Sequence, residues 1–392
     1  MKRVCSIFSQ ILQLIPRDSF EAAVQKHQAE RHARGFSSWG QLVAMLFCQL
    51  AQAKSLREIT EGLRASEGKL KHLGLPEAPA RSTLAYANSH RSWELYETVF
   101  QQLLAHCQKR LGVAKAGSKL GLPGKLLSLD ATVIDLCASV FDWAHFRTTK
   151  GAVKLHLLLD HDGYLPSYAV ITEGKVHEIQ VARKLKLQRG AMLVFDRGYT
   201  DYGWFQQLTE EGVHFVTRLK DNAAYIVLER RPALGTGVCA DEIVVLEKQA
   251  PSDSAPFLRR VRYWDEGKQR ELVFLTNHLD LAATTVAAVY KERWQIELLF
   301  KALKQNLRVK TFVGTTANAL KTQIWTALIA LLAVKFLQLQ SVFCWSLSRL
   351  IALLRQQLFV YRDLWRWLEA PFEAPLALSH ADSPQLPFAW TT

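Results

Sequence analysis

The spacing of apolar positions changes twice along the chain, and each change marks a different kind of structure. From Phe36 to Arg91 apolar residues recur at helical intervals in short segments. Ser38 is placed to cap a helix running to about Gln52, and Ser55 with Glu58 forms a capping box for a second helix through about Leu63. After the breaks at Pro76 and Pro79 a third short helix is predicted from near Ser82, with polar Ser82, Thr83, Asn88 and Ser89 and basic Arg91. Two helices joined by a tight turn and followed by a polar third are compatible with a helix-turn-helix DNA reader, a pattern shared with three-helix bundles of other function. A longer helix, Trp93 to Leu111, leads into GVAKAGSKLGLPGK, a glycine- and lysine-rich linker.

Beyond the linker the period shortens to two. LLSLDATVIDL (126–136) alternates as a strand, and KLHLLLDHDGYLPSYAVIT (154–172) reads as a hairpin turning at Asp162 and Gly163. A helix over 177–187, a short buried strand AMLVF ending at Asp196, a helix over 201–211 and the strand HFVTRLK follow. That is the element order of a ribonuclease-H-like α/β fold. Residues 222–279 instead carry short alternating runs between Pro, Gly and charged turns, as a small β-rich insertion would. YKERWQIELLFKALKQNLR (290–308) then reads as one helix, and the chain stays helical and apolar from about Thr311 to Leu368. Its most apolar stretch, Ile324 to Leu337, is broken by Lys335 and followed by Gln338 and Gln340, so it reads as a buried helix and not a membrane span. The expected division is a helical DNA-binding domain (1–112), a linker (113–124), the first part of the core (125–221), the β insertion (222–280), the core catalytic helix (281–310) and a helical C-terminal region with its tail (311–392).

Charge adds a partner to this outline. The net charge is +13, and residues 1–129 hold 18 Lys and Arg against 9 Asp and Glu, so +9 of it lies in the first third. Such an excess points to a polyanion, with nucleic acid ahead of an anionic membrane. The 6 cysteines are scattered without a C-x-x-C pair, which suits reduced thiols in a cytoplasm and excludes a zinc ribbon. His27 and His32 are weakly spaced for a metal. Ser9, Gln10 and Gln13 interrupt what would be the apolar region of a signal peptide.

Three acids stand out against this background. Asp130 lies inside the first core strand, and Asp196 ends the fourth, its neighbour in the proposed sheet. The 290–308 helix could bring Glu297 beside them, on a stripe shared with Tyr290, Arg293, Lys301, Lys304 and Arg308. Converging carboxylates repel unless cations neutralise them. Two Mg2+ ions about 3.5–4 Å apart would do so, with Mn2+ as a substitute, and would suit phosphoryl transfer. Plainer roles are open to the same residues. Asp130 could pair with a lysine or arginine, Asp196 could cap a turn, and Arg293, Glu297 and Lys301 could form i,i+4 pairs of about 0.2–0.5 kcal/mol each. Turn, edge and capping roles account for Asp135, Asp160, Asp162 and Asp201.

Tyr290, Arg293, Glu297 and Lys304 reproduce a Y-x2-R-x3-E-x6-K pattern, and with LDATVIDL around Asp130 and VFDRGYTDY around Asp196 the chain resembles the insertion-sequence-four family of bacterial DDE transposases. The resemblance runs the length of the chain. It implies that Asp130, Asp196 and Glu297 form a metal-binding catalytic triad and that Tyr290, Arg293 and Lys304 contact the DNA backbone, with Lys301 and Arg308 on the same stripe. It further implies cut-and-paste transposition through a hairpin, acting on terminal inverted repeats and target DNA. A homodimeric synaptic complex at the bacterial nucleoid is the corresponding assembly. In such relatives a tryptophan of the insertion stacks on a flipped base; Trp264, in RRVRYWDEG, is the candidate, and a hairpin-packing role is its alternative. A non-catalytic DNA-binding relative and a metal-dependent nuclease without strand transfer share these residues and remain as rival readings.

Overall fold

The structure is a computed structural model that describes residues 5–31, 33, 35–66, 68–112, 120–137, 141, 145–147, 150–247, 256–307, 309 and 312–373. Six helices come first: α1 (Ile7–Leu12), α2 (Arg17–Lys26), α3 (Ser38–Ala51), α4 (Leu56–Ala65), α5 (Arg81–His90) and α6 (Glu94–Leu111). The cap of α3 is Ser37, one residue before the expected serine, and its side chain accepts from the Gly40 N–H at 3.1 Å. At α4, Ser55 accepts from the Glu58 N–H as expected, while the Glu58 carboxylate reaches back to the Lys54 N–H at 2.9 Å.

The central sheet is built from β1 (Leu126–Cys137), β2 (His145–Arg147), β3 (Lys150–Asp160), β4 (Leu165–Glu173), β5 (Met192–Phe195) and β6 (His214–Arg218), with α7 (Glu178–Ala182) and α8 (Tyr202–Glu210) between its later strands. β1, β3 and β4 form an antiparallel meander, and β5 and β6 add parallel to the other side of β1. This is the ribonuclease-H-like arrangement anticipated from element order. β7 (Tyr225–Arg231), β8 (Val238–Leu246), β9 (Leu258–Asp265) and β10 (Arg270–Thr276) make up the insertion. They continue the same sheet, because β10 pairs antiparallel with β6 through Phe274↔Arg218 to Thr276↔Val216. The insertion is therefore hydrogen-bonded to the core through the end of its last strand, residues 274–276.

Last come α9 (Ala283–Glu292), α10 (Trp294–Asn306), α11 (Ala317–Gln340), α12 (Leu347–Gln357) and α13 (Leu364–Glu369). α11 is long and apolar enough to cross a membrane, but its residues from Ala319 to Leu337 are almost all buried among α3, α5, α6 and α12. It is the central core helix, as its interruption by Lys335 and its glutamines suggested. One apolar core joins α1–α6, α10–α13 and the face of β1 and β3 that carries Ile134, Leu136, Val153 and Leu155. Residues 113–119 of the expected linker lie outside the described residues, and the apolar side chains of α1–α6 before it pack with those of β1 and β3 after it.

His156, at the middle of β3, is fully buried, and its Nε2 faces the Thr172 hydroxyl at 2.9 Å. Burial, helped by the nearby Lys154, pushes the imidazole down to about 4 from an ordinary 6.5. Between those values the unfolded chain holds the proton and the folded chain does not, so this contribution is complete above pH 6.5 and falls as pH drops towards 4. Going from pH 7 to pH 5 is expected to cost about 2 kcal/mol through this residue. Urea titrations at both pH values should show that loss in the wild type and a flatter response in His156→Gln; an equally steep response in the variant removes His156 as the cause.

Candidate active site

The site begins with two parallel strands in register. Leu126 to Leu129 of β1 pair with Met192 to Phe195 of β5, so the next residues, Asp130 and Asp196, emerge side by side at the carboxyl end of the pair. Asp130 is half-buried, and its carboxylate accepts from the Ala131 N–H at 2.8 Å. Burial pushes the Asp130 carboxyl up to about 7; the Ala131 hydrogen bond and Arg293 pull against that, and the charges of Asp196 and Glu297 add to it. The other two acids therefore both act on Asp130.

Asp196 also caps a 3-10 turn over Arg197–Tyr199, accepting from the Gly198 N–H at 2.8 Å. A Cβ at Gly198 would lie 2.9 Å from Asp196 Oδ1, so a larger residue there would displace the Asp196 carboxylate. Capping and site membership, alternatives in the sequence, coexist here. Tyr199 ends the turn with its ring buried and its hydroxyl unpartnered; burial, with Asp130, Glu178 and Asp196, raises that hydroxyl far above its ordinary range.

The third acid arrives on α10. The stretch expected as one helix is two, divided at Arg293, where α9 ends and α10 starts. The break points the guanidinium back between two acids: Nη1 lies 3.5 Å from Asp130 Oδ2 and Nη2 2.5 Å from Glu297 Oε1. Arg293 thus ties the strand acid to the helix acid and supplies cationic charge to a cluster that would otherwise repel itself. Among the described residues no three Asp, Glu, His or Cys side chains are gathered closely enough to grip one ion as they stand. The donor set nevertheless suits a hard divalent cation, being wholly carboxylate, and Asp130 is held high partly by repulsion that a cation would relieve.

The rest of the predicted stripe is divided. Tyr290 is half-buried, its ring 5.1 Å from that of Phe274 with the Arg293 guanidinium 5.6 Å from its centre, and burial raises its hydroxyl. Lys301 is exposed. Lys304 is half-buried and donates from Nζ to the Val133 carbonyl at 2.7 Å, fastening α10 to β1. Arg308 lies outside the described residues, as does His32; His27 meets the Thr98 hydroxyl at 2.7 Å.

Trp264 stands on β9, 40% exposed, which fits a platform better than a packed hairpin residue. Its expected cationic setting is not free charge. Arg259 pairs with Asp241, Arg260 with Glu242 and Arg262 with Glu271, because the strand register sets each arginine near an acid of a neighbouring strand. Trp294 was passed over in the sequence, yet it is 53% exposed directly after Arg293. Its position beside a predicted site residue was the available signal. The polar face expected on α5 also turns partly inward: Asn88 is buried and receives a hydrogen bond from Gln41 at 2.8 Å, and Arg91 donates to Gln41 and the Phe36 carbonyl. The rival acids are accounted for, with Asp160 paired to Lys125 at 2.6 Å, Asp162 in the turn between β3 and β4, Asp201 capping α8 and paired to Arg183, and Asp135 exposed on β1.

Comparison with known proteins bears on the same residues. A family described as a transposase DDE domain matches residues 122–333, and one described as a domain of unknown function matches residues 4–76. A protein of Sinorhizobium fredii (strain NBRC 101917 / NGR234) described as transposase y4zB is 30% identical over 294 residues, which is 74% of this chain and 80% of that protein. A Geobacillus stearothermophilus protein described as a transposase for insertion sequence element IS5377 is 27% identical over 260 residues, 65% of this chain and 67% of the relative. Among solved structures, the cryo-EM structure of the piggyBac transposase synaptic complex with hairpin DNA aligns over 95% of this chain and 83% of that one, at 9% identity and a TM-score of 0.47.

Proposed function

The chain belongs to the transposase DDE-domain family, and from that premise we propose that it cuts DNA at the ends of an insertion sequence of the insertion-sequence-four type and joins the freed ends to target DNA. The observation that supports this most is the meeting of Asp130 and Asp196 at the ends of adjacent parallel strands, with Glu297 tied to Asp130 through Arg293. In this reading the three carboxylates hold two divalent cations, Mg2+ or in its place Mn2+. Bound there, the ions would lower the pKa of an attacking water or 3′-hydroxyl and stabilise the departing oxygen.

The chain's own residues do the positioning. Arg293, drawn between carboxylates in this state, is placed to meet a phosphate oxygen at the scissile bond, with Tyr290 buttressing it from below. Lys301, Lys304 and Arg308 extend that contact along the DNA backbone. Water attacks first and leaves a 3′-hydroxyl, which then attacks the opposite strand to give a hairpin; no covalent link to the protein is needed. Trp264 and Trp294 offer exposed aromatic faces for a base extruded at the hairpin. Joining two ends calls for at least two protomers, so a homodimer on duplex DNA at the nucleoid follows.

The test is cleavage of a labelled duplex drawn from the DNA flanking the gene, with Mg2+ or with EDTA. Nicking or hairpin formation at one defined end, only with Mg2+, is expected. Specific binding without cleavage in either Mg2+ or Mn2+ would replace this reading with that of a DNA-binding regulator.

Lys304→Ala separates two roles of one side chain. It is expected to flatten the salt dependence of DNA binding by about one counterion and to cost about 1 kcal/mol of stability through the lost bond to Val133. A stability loss with an unchanged salt slope takes Lys304 off the phosphate backbone.

A further inference from the structure

Residues 27–29, 31, 33 and 36 and the outward face of α5 line a groove of about 940 Å³, remote in sequence from the three acids. Its wall on α5 is set by residues at successive turns, Ser82, Tyr86 and His90, with Thr83 alongside. Tyr86 is 64% exposed, and its ring stacks on that of His90, centroids 4.0 Å apart and planes 16° from parallel. His90 is held in that pose, since its Nδ1 lies 2.9 Å from the Tyr86 carbonyl. The two stacked rings form an exposed platform, and a ring already resting on a neighbour has less rotamer freedom to lose when a third stacks on it.

The charge in the groove has one sign. No acid is among the lining residues, while Arg31 is exposed at the rim and Arg91 is half-buried in the wall. Arg91 spends hydrogen bonds on Gln41 and the Phe36 carbonyl and lies over the Phe36 ring, but forms no ion pair among the described residues. The Glu30 carboxylate acts on Arg91 through space but accepts from the Ser38 N–H and forms no ion pair with it, so guanidinium charge is left for an anion brought by a ligand. An aromatic platform with a cation one turn along on one side and the hydroxyls of Ser82 and Thr83 on the other matches the parts of a nucleotide: a π-face, polar edges and a phosphate.

We propose that this groove binds an unpaired nucleotide of a DNA strand, its base stacked on Tyr86 and its phosphate facing Arg91. The shape favours an unpaired strand over a duplex. A helix that reads a major groove stands proud of its surroundings, whereas the exposed face of α5 forms the wall of a concavity lined on its other side by residues 27–29, 31, 33 and 36. The inference rests on the DNA-acting reading above and adds to it a second, single-stranded contact outside the acid cluster.

The experiment uses the full chain and two labelled probes, an oligothymidylate and a duplex of equal length, with binding followed by fluorescence anisotropy at matched salt. Tyr86→Ala is expected to weaken oligothymidylate binding about tenfold and duplex binding by less than about twofold, and Tyr86→Phe to restore the wild-type affinity. Because Tyr86 is exposed, the thermal melt of Tyr86→Ala should match the wild type. Photocrosslinking of a strand carrying 5-iododeoxyuridine should attach at Tyr86 or His90. Equal loss on both probes, or loss on neither with the duplex still bound, overturns this inference alone. Failure of the wild type to bind either probe overturns the DNA-acting reading with it.

Discussion

Glu297→Gln is expected to lower metal-dependent DNA cleavage on the order of a thousandfold or more, the several kcal/mol that a metal-activated nucleophile contributes, while leaving DNA affinity close to wild type. The substitution keeps the shape of the side chain and removes its charge, so the acid cluster loses a cation ligand without losing volume. Folding should be little affected, because Arg293 retains Asp130 at 3.5 Å when its bond to Glu297 is weakened. Glu297 is only half-buried, which limits what that bond contributes to stability. The comparison to make is cleavage and gel-shift affinity on one labelled end, wild type beside the variant, in Mg2+. Binding lost in parallel with cleavage would assign Glu297 a structural role, and persistent cleavage would remove it from the triad.

Arg259→Ala is expected to cost about 3–5 kcal/mol of stability, the penalty for stranding a buried partner charge. The guanidinium meets both Asp241 oxygens, at 2.7 and 2.6 Å, with both side chains almost fully enclosed. It also donates to the Leu279 carbonyl at 3.1 Å and to the Leu281 carbonyl. Those carbonyls belong to the segment entering α9, so one side chain joins the insertion to the helix pair that carries Glu297. Removing it should lower the denaturation midpoint and, by loosening the entry to α9, cleavage as well. Replacing both partners by apolar residues, Arg259→Met with Asp241→Leu, should cost less than the single change, since no charge is then left unpaired. Chemical denaturation of the three proteins decides it: a single-variant loss below about 1 kcal/mol would mean that water reaches the pair.

The arginines of β9 show why part of the site was hidden in the sequence. Read locally, RRVRYW is a cationic strand with an aromatic in it. Its acids lie 18 residues upstream for Arg259 and Arg260 and 9 downstream for Arg262. Which acid meets which arginine depends on the pairing of β8, β9 and β10, and register is not a local property. α5 shows the same limit from the other side. Its inward turn of Asn88 and Arg91 follows from contact with Gln41 on α3 and Asn318 on α11, a packing that helical periodicity alone does not specify.

What the sequence by itself determined is everything carried by short-range pattern. The period-two alternation around Asp130 and the apolar run before Asp196 specify strands, and the turn at Asp162 and Gly163 specifies the hairpin that makes β4 antiparallel to β3. The order of those elements fixes which strands are neighbours, and hence that two acids lie side by side. Only the tertiary structure decided how the charges around them are spent. The break at Arg293 turns its guanidinium into the acid cluster, the approach of α10 to β1 commits Lys304 to the Val133 carbonyl, and sheet pairing neutralises the arginines near Trp264. The physical reason is one of range. Secondary structure follows from side chains a few residues apart, whereas the state of a charge is set by whatever the whole fold brings within a few ångströms of it.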